Sequence, residues 1–171
     1  MAKAKHTISM AELNTPNNLD PEKVQAVADS MNAVVSDLIA LWVKTKNYHW
    51  HMSGRNFRDY HLMLDEQSME LIETVDPAAE RVRKLGCKTV TSIGMVAELQ
   101  RVDDNDEAQV SPKDMLLDLV EENKKLAANM LKTHEVCDEA EDVATASFLE
   151  EWIDQAQRRT WFLFEATREL Q

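Results

Sequence analysis

The chain has few residues with which to turn. Its 171 residues include three glycines and four prolines, too few for a meander of short strands, whose hairpins draw heavily on both. Two cysteines, Cys87 and Cys137, are too few and too isolated for a disulfide framework or a zinc knuckle, and both are read as free thiols without chemistry of their own. No uninterrupted apolar run approaches the roughly 18 to 20 residues of a membrane span, and the opening "MAKAKHTISMAELNTP" lacks the apolar stretch of a secretory signal. The expectation is a cytoplasmic protein with no membrane partner. Positive charge is also scarce: 19 Lys and Arg stand against 31 Asp and Glu, a formal net charge of -12. That balance opposes nonspecific attraction to nucleic acid or anionic lipid and favours cations as partners.

The abundant residues, Leu, Ala, Glu, Lys and Met, are strong helix formers, and the chain is expected to be all-α. In "NLDPEKVQAVADSMNAVV", Asp20 is placed to cap a helix and Pro21 to start it. Val24, Ala28, Met31, Val35, Leu38, Trp42 and Thr45 then recur at alternating steps of four and three, the stripe of a helix packed nearly parallel to its neighbours. His49 is the next member of that stripe, whereas His51 points about 200° away, toward solvent. After a turn at "SGRN", a second helix carries Phe57, His61, Leu64, Ser68, Leu71, Val75, Ala78, Val82 and Leu85 on one face and ends near Gly86. Beside that face runs a second apolar stripe, Leu62, Met69, Ile72 and Ala79, with Asp65 and Asp76 embedded in it. A helix with two apolar faces has two partners, so one face is expected to meet another subunit.

A long connection holds one short helix near residues 91–100, and Ser111 with Pro112 opens the third long helix. That helix, carrying Leu116, Val120, Ala127 and Met130, breaks near "CDEAED", and a fourth runs through Phe148, Leu149, Trp152, Ala156 and Leu163. Four long helices with one long crossover describe a ferritin-like four-helix bundle over residues 20–171, preceded by a flexible tail at 1–19.

Three of the five histidines fall within "KTKNYHWHMSGRNFRDYHLMLDEQ", residues 44–67. A histidine on a buried helix face is ordinarily a satisfied core residue, but the carboxylates here favour metal binding. His61 and Asp65 are one turn apart, as are Asp76 and Glu80, and relative to His61 the other three fall at roughly 40°, 60° and 100° around the helix, on one arc. The two pairs lie fifteen residues apart, about 22 Å along a helix, so one chain cannot close a site from both. An antiparallel packing of this helix against its own copy, about a twofold axis near Leu71, would bring each first pair to the other chain's second pair. The competing reading of "VDPAAER" has Asp76 capping a fresh helix that starts at Pro77. Imidazole with carboxylates and no thiolate suits iron, manganese or zinc. Oxidisable Tyr48, Trp50 and Tyr60 lie in sequence around the two histidines.

The stretch "HWHMSGRNFRDYHLMLDE" followed by "VDPAAERVRKLG" resembles the signature of the Dps family, the ferritin-like DNA-protection proteins of starved bacteria, and the likeness covers all four helices. The resemblance implies a site built from His49, His61 and Asp65 of one subunit and from Asp76 and Glu80 of its twofold mate. It also implies a hollow homo-dodecamer that oxidises Fe(II), preferably with hydrogen peroxide but also with oxygen, and stores the ferric product. In "EDVATASFLEEWIDQ", which resembles the family's threefold pore segment, Asp142, Glu151 and Asp154 are expected to line an iron path, although Ser147 stands where many relatives have an aspartate. His51 replaces a common asparagine, and Pro77 is unusual inside the motif. An ordinary ferritin would need Glu-x-x-His motifs, and His134 has Leu131 three residues before it. The alternative function is a DNA-compacting structural protein of the nucleoid with incidental metal binding. It would depend on Lys3 and Lys5, a short basic tail from which only weak DNA binding is expected.

Overall fold

A computed structural model describes residues 14–107 and 109–168. Five helices follow in order, α1 (Pro21–His51), α2 (Phe57–Lys84), α3 (Ile93–Leu99), α4 (Pro112–Glu139) and α5 (Val143–Thr167), and there is no strand among the described residues. The all-α ferritin-like bundle is therefore the observed fold. Helices α1 and α2 form one hairpin and α4 and α5 a second, while the connection between them lays α3 against α1.

The helix starts are those the sequence encodes. The carboxylate of Asp20 accepts the Glu22 amide at 2.9 Å, and the hydroxyl of Ser111 accepts that of Asp114 at 3.2 Å. Each cap satisfies an amide that the first helical turn leaves without a partner. At Pro77 the competing reading fails, because α2 runs unbroken from Phe57 to Lys84 and Asp76 caps nothing. One missing amide bond is tolerated inside a helix held on both sides of it by the buried Leu71, Ala78 and Val82.

Helix α1 buries two stripes. The expected one holds Met31, Val35 and Leu38; the other, at steps of seven, holds Val27, Val34, Leu41 and Tyr48. No uninterrupted apolar run spans α1, which carries Asp29, Asn32, Asp37 and Lys44, yet by length and mean composition the helix is apolar enough to cross a membrane. Its most apolar window is 56% buried inside the bundle, and core packing accounts for the composition. Two charged residues on α1 fix the crossover. Buried Asp37 accepts the Arg101 amide at 2.7 Å and its guanidinium at 2.6 Å, and buried Lys44 donates to the Asp103 carbonyl at 2.7 Å.

The segment 14–19, assigned above to the tail, is held against the end of α2. Thr15 donates to the Arg83 carbonyl at 3.0 Å and Asn17 to that of Leu85 at 3.3 Å. Gly86 permits this approach: its φ is +82°, and a Cβ there would lie 2.8 Å from the Thr15 nitrogen. Lys3 and Lys5 lie outside the described residues.

Candidate metal centre

The last turn of α1 and the first turns of α2 bring His49 and His61 face to face. Their rings stack with centroids 3.6 Å apart and planes inclined by 24°. Each histidine is fixed by the backbone of the other: His49 Nδ1 lies 2.8 Å from the His61 carbonyl, and His61 Nδ1 lies 2.9 Å from the His49 carbonyl. A carbonyl only accepts, so both Nδ1 atoms carry the proton and both Nε2 atoms keep a lone pair. Fixing a histidine's tautomer through its second nitrogen is how ligating imidazoles are oriented.

Asp65 lies one turn beyond His61 and is half exposed. Lys46, on α1, donates to its Oδ1 at 2.7 Å. That bond, with the charge of Lys46, holds the Asp65 carboxyl below the usual carboxylate range despite some desolvation. Asp65 is thus an anion, but a cation of this chain already engages it. Lys46 was not anticipated, although its position three residues before His49 was a usable signal.

Asp76 and Glu80 are both exposed, and Glu80 pairs with Lys84 at 3.1 Å. One chain does not bring them to the histidines, and among the described residues no three His, Cys, Asp or Glu side chains gather in one place. The same face of α2 exposes Leu62 and Met69 at 41% and 51%. These are large apolar residues that the chain itself leaves about half exposed, on the stripe expected to meet a second copy.

The aromatic neighbours are not as expected. The ring against the pair is Phe57, 5.0 Å from His61. Tyr48 turns away, its hydroxyl donating to Asp118 and accepting from Asn105. The Tyr60 hydroxyl donates to the Ala166 carbonyl at 3.0 Å, and Trp50 is exposed beside the groove between α1 and α3. His51 faces solvent as expected, its Nδ1 2.8 Å from the Asn47 carbonyl.

The acidic residues of α5 divide. Asp142 is a correction to the expected pore lining: it is 3% exposed, caps α5 through the Thr145 amide, and pairs with Arg81 at 3.0 Å. Its carboxylate is thereby committed to structure. Glu151 opens instead onto a groove of about 630 Å³ between α2 and α5, which Asp65, Glu66, Glu70 and Glu73 also line. Asp154 is exposed outside that groove.

Residues 28–171 match the family model of the ferritin-like domain, and the chain belongs to that family. It is 29% identical over 160 residues to DNA protection during starvation protein 1 of Deinococcus radiodurans, across 90% of this chain and 77% of the relative. It is 33% identical over 147 residues to a low temperature-induced protein of Nostoc sp., across 85% and 82%. DpsC from Streptomyces coelicolor superposes with a TM-score of 0.86 at 27% identity, over 90% of each chain. Within the ferritin-like proteins, the chain is a member of the Dps family.

Proposed function

We propose that the protein is a ferroxidase and iron store that protects DNA by consuming Fe(II) and hydrogen peroxide together. The observation that carries this reading is the reciprocal bonding of His49 and His61, which leaves both Nε2 atoms free one turn from the anionic Asp65. Fe(II) is the substrate, bound by these three residues together with Asp76 and Glu80 from a second copy packed on the Leu62 and Met69 face. The acidic groove from Glu151 to Asp65 would concentrate Fe(II) beside the site. Lys46 keeps Asp65 ionised before iron arrives and moves aside as the cation displaces it. Two Fe(II) ions give one electron each to one hydrogen peroxide, yielding two Fe(III) and two hydroxides, so no hydroxyl radical is released. Twelve copies enclosing a hollow shell would retain the ferric product. Zinc or manganese, which suit the same donors, would compete with iron.

The test is anaerobic addition of Fe(II) and hydrogen peroxide to the purified protein, with a parallel reaction under air. Oxidation faster than in buffer, slowed by zinc, is expected. Protein that oxidises iron no faster than buffer with either oxidant removes the reading.

A further inference from the structure

Tyr48 adjoins the candidate ligand His49 in sequence, yet its side chain takes no part in the metal centre. It is 1% exposed, and its hydroxyl donates to Asp118 Oδ2 while accepting from Asn105 Nδ2 at 2.8 Å. Asp118 is held in turn by Lys44 Nζ at 2.9 Å, and Lys44 also reaches Glu122 at 3.3 Å. A phenol buried against a carboxylate can lose an electron without leaving a cation in the interior, because its proton has an acceptor already in hydrogen-bond contact. Tyr60, the only other tyrosine in the chain, has no such acceptor: its hydroxyl donates to a backbone carbonyl, which cannot take the proton. Trp50 is 62% exposed, where an indole radical would be open to solvent and to other molecules.

We propose that Tyr48 is a redox-active residue, giving one electron to a strong oxidant formed beside the His49–His61 pair while its hydroxyl proton passes along the existing bond to Asp118. The oxidant, and only the oxidant, rests on the ferroxidase reading: it is the hydroxyl radical formed when one Fe(II) meets hydrogen peroxide without a second Fe(II) to complete the reduction. Hydroxyl radical, the Tyr48 phenol and the Asp118 carboxylate become hydroxide, the Tyr48 phenoxyl radical and the Asp118 carboxylic acid. A later Fe(II) returns the electron and Asp118 the proton, restoring both side chains and leaving Fe(III). Burial keeps the radical from coupling with other molecules in the interval. Lys44 stays paired with Glu122 when Asp118 is neutralised, so the step strands no buried charge.

The experiment uses the full-length protein and three variants, Tyr48→Phe, Tyr60→Phe and Asp118→Asn, with ring-deuterated tyrosine incorporated to identify tyrosyl signals by electron paramagnetic resonance. One arm generates the radical with an external one-electron photo-oxidant and no iron. The other mixes substoichiometric Fe(II) with hydrogen peroxide and freezes rapidly. In the photochemical arm a tyrosyl signal is expected in the unaltered protein and in Tyr60→Phe, lost in Tyr48→Phe, and diminished in Asp118→Asn, whose amide accepts a hydrogen bond but not the proton. A signal that survives Tyr48→Phe, or no tyrosyl signal in the unaltered protein, overturns the proposal. In the iron arm the same Tyr48 signal should form and then decay on further Fe(II). Iron oxidation without it overturns the proposed role at the metal centre. If the photochemical radical forms at Tyr48 but iron is not oxidised, the ferroxidase reading fails and the redox role of the Tyr48–Asp118 pair is supported.

Discussion

Pairing defective subunits is the strongest test of the shared site. One variant carries His61→Ala and Asp65→Ala, the other Asp76→Ala and Glu80→Ala. Along the unbroken α2 the two pairs are separated by fifteen residues, about 22 Å at 1.5 Å per residue, so neither variant can complete a site alone. Each homo-oligomer should have lost rapid iron oxidation. In a mixed dimer, the second variant's intact His61 and Asp65 face the first variant's intact Asp76 and Glu80. One site is rebuilt and the other loses both halves. With unbiased assembly about half of the dimers are mixed, so about a quarter of all sites recover, and the initial rate should approach that fraction of the unaltered protein's. Stopped-flow iron oxidation measures the rate, and native mass spectrometry establishes the mixing. Oligomers shown to be mixed that recover nothing would refute the twofold sharing, and with it the assignment of Asp76 and Glu80. Substantial activity in either homo-oligomer would refute it equally.

Three further outcomes are expected. Asp142→Asn should lower stability by about 3 kcal/mol, the scale of breaking a buried ion pair, without slowing iron oxidation by the assembled protein; normal stability with slowed iron oxidation would return Asp142 to the iron path. Burial, with the charges of Asp142 and Asp138 nearby, pushes the Cys137 thiol from 9.0 up to about 12. Its contribution to stability is therefore fully present below about pH 9 and is lost as pH rises toward about 12, so Cys137→Val should flatten the decline in urea midpoint between about pH 8 and about pH 10, and an unchanged slope would contradict this. DNA binding, if it resides in Lys3 and Lys5, should be weak and strongly salt-dependent and should disappear in a gel shift when residues 1–12 are removed; tight binding that survives the truncation would locate it elsewhere.

The fold was legible because its punctuation is sparse and local. Asp20 with Pro21 and Ser111 with Pro112 each place a cap and a helix start in adjacent positions, and those two starts fall where the structure has them. Pro77 was the ambiguous mark, since the same residue starts helices and interrupts them; the choice is made by Leu71, Ala78 and Val82, buried on both sides of it. The second buried stripe of α1 was also present in the sequence as Val27, Val34, Leu41 and Tyr48, four residues at steps of seven. It was hidden by the charged Asp37 and Lys44, also seven apart, which read as breaks in an apolar pattern and are buried ion-pair partners.

The candidate site was legible to the extent that a single helix determines it. His49, His61 and Asp65 are linked by helical periodicity and one short turn; the structure stacks the two imidazoles, while Asp65, one turn beyond His61, is paired with Lys46. What periodicity does not specify is the tautomer of the histidines, because this depends on two carbonyls meeting two rings across a loop, or the engagement of Asp65 by Lys46, because this joins side chains of different helices. Asp142 failed for a related reason. In sequence an acidic residue near other acids resembles a solvated lining, and only the arrival of Arg81 from α2 makes it a buried counter-ion. The same distinction separates the two tyrosines. Tyr48 and Tyr60 stand equally close in sequence to the histidines, but the chemistry open to each is set by what the other helices bring: for Tyr48 a carboxylate from α4, for Tyr60 a backbone carbonyl from the end of α5.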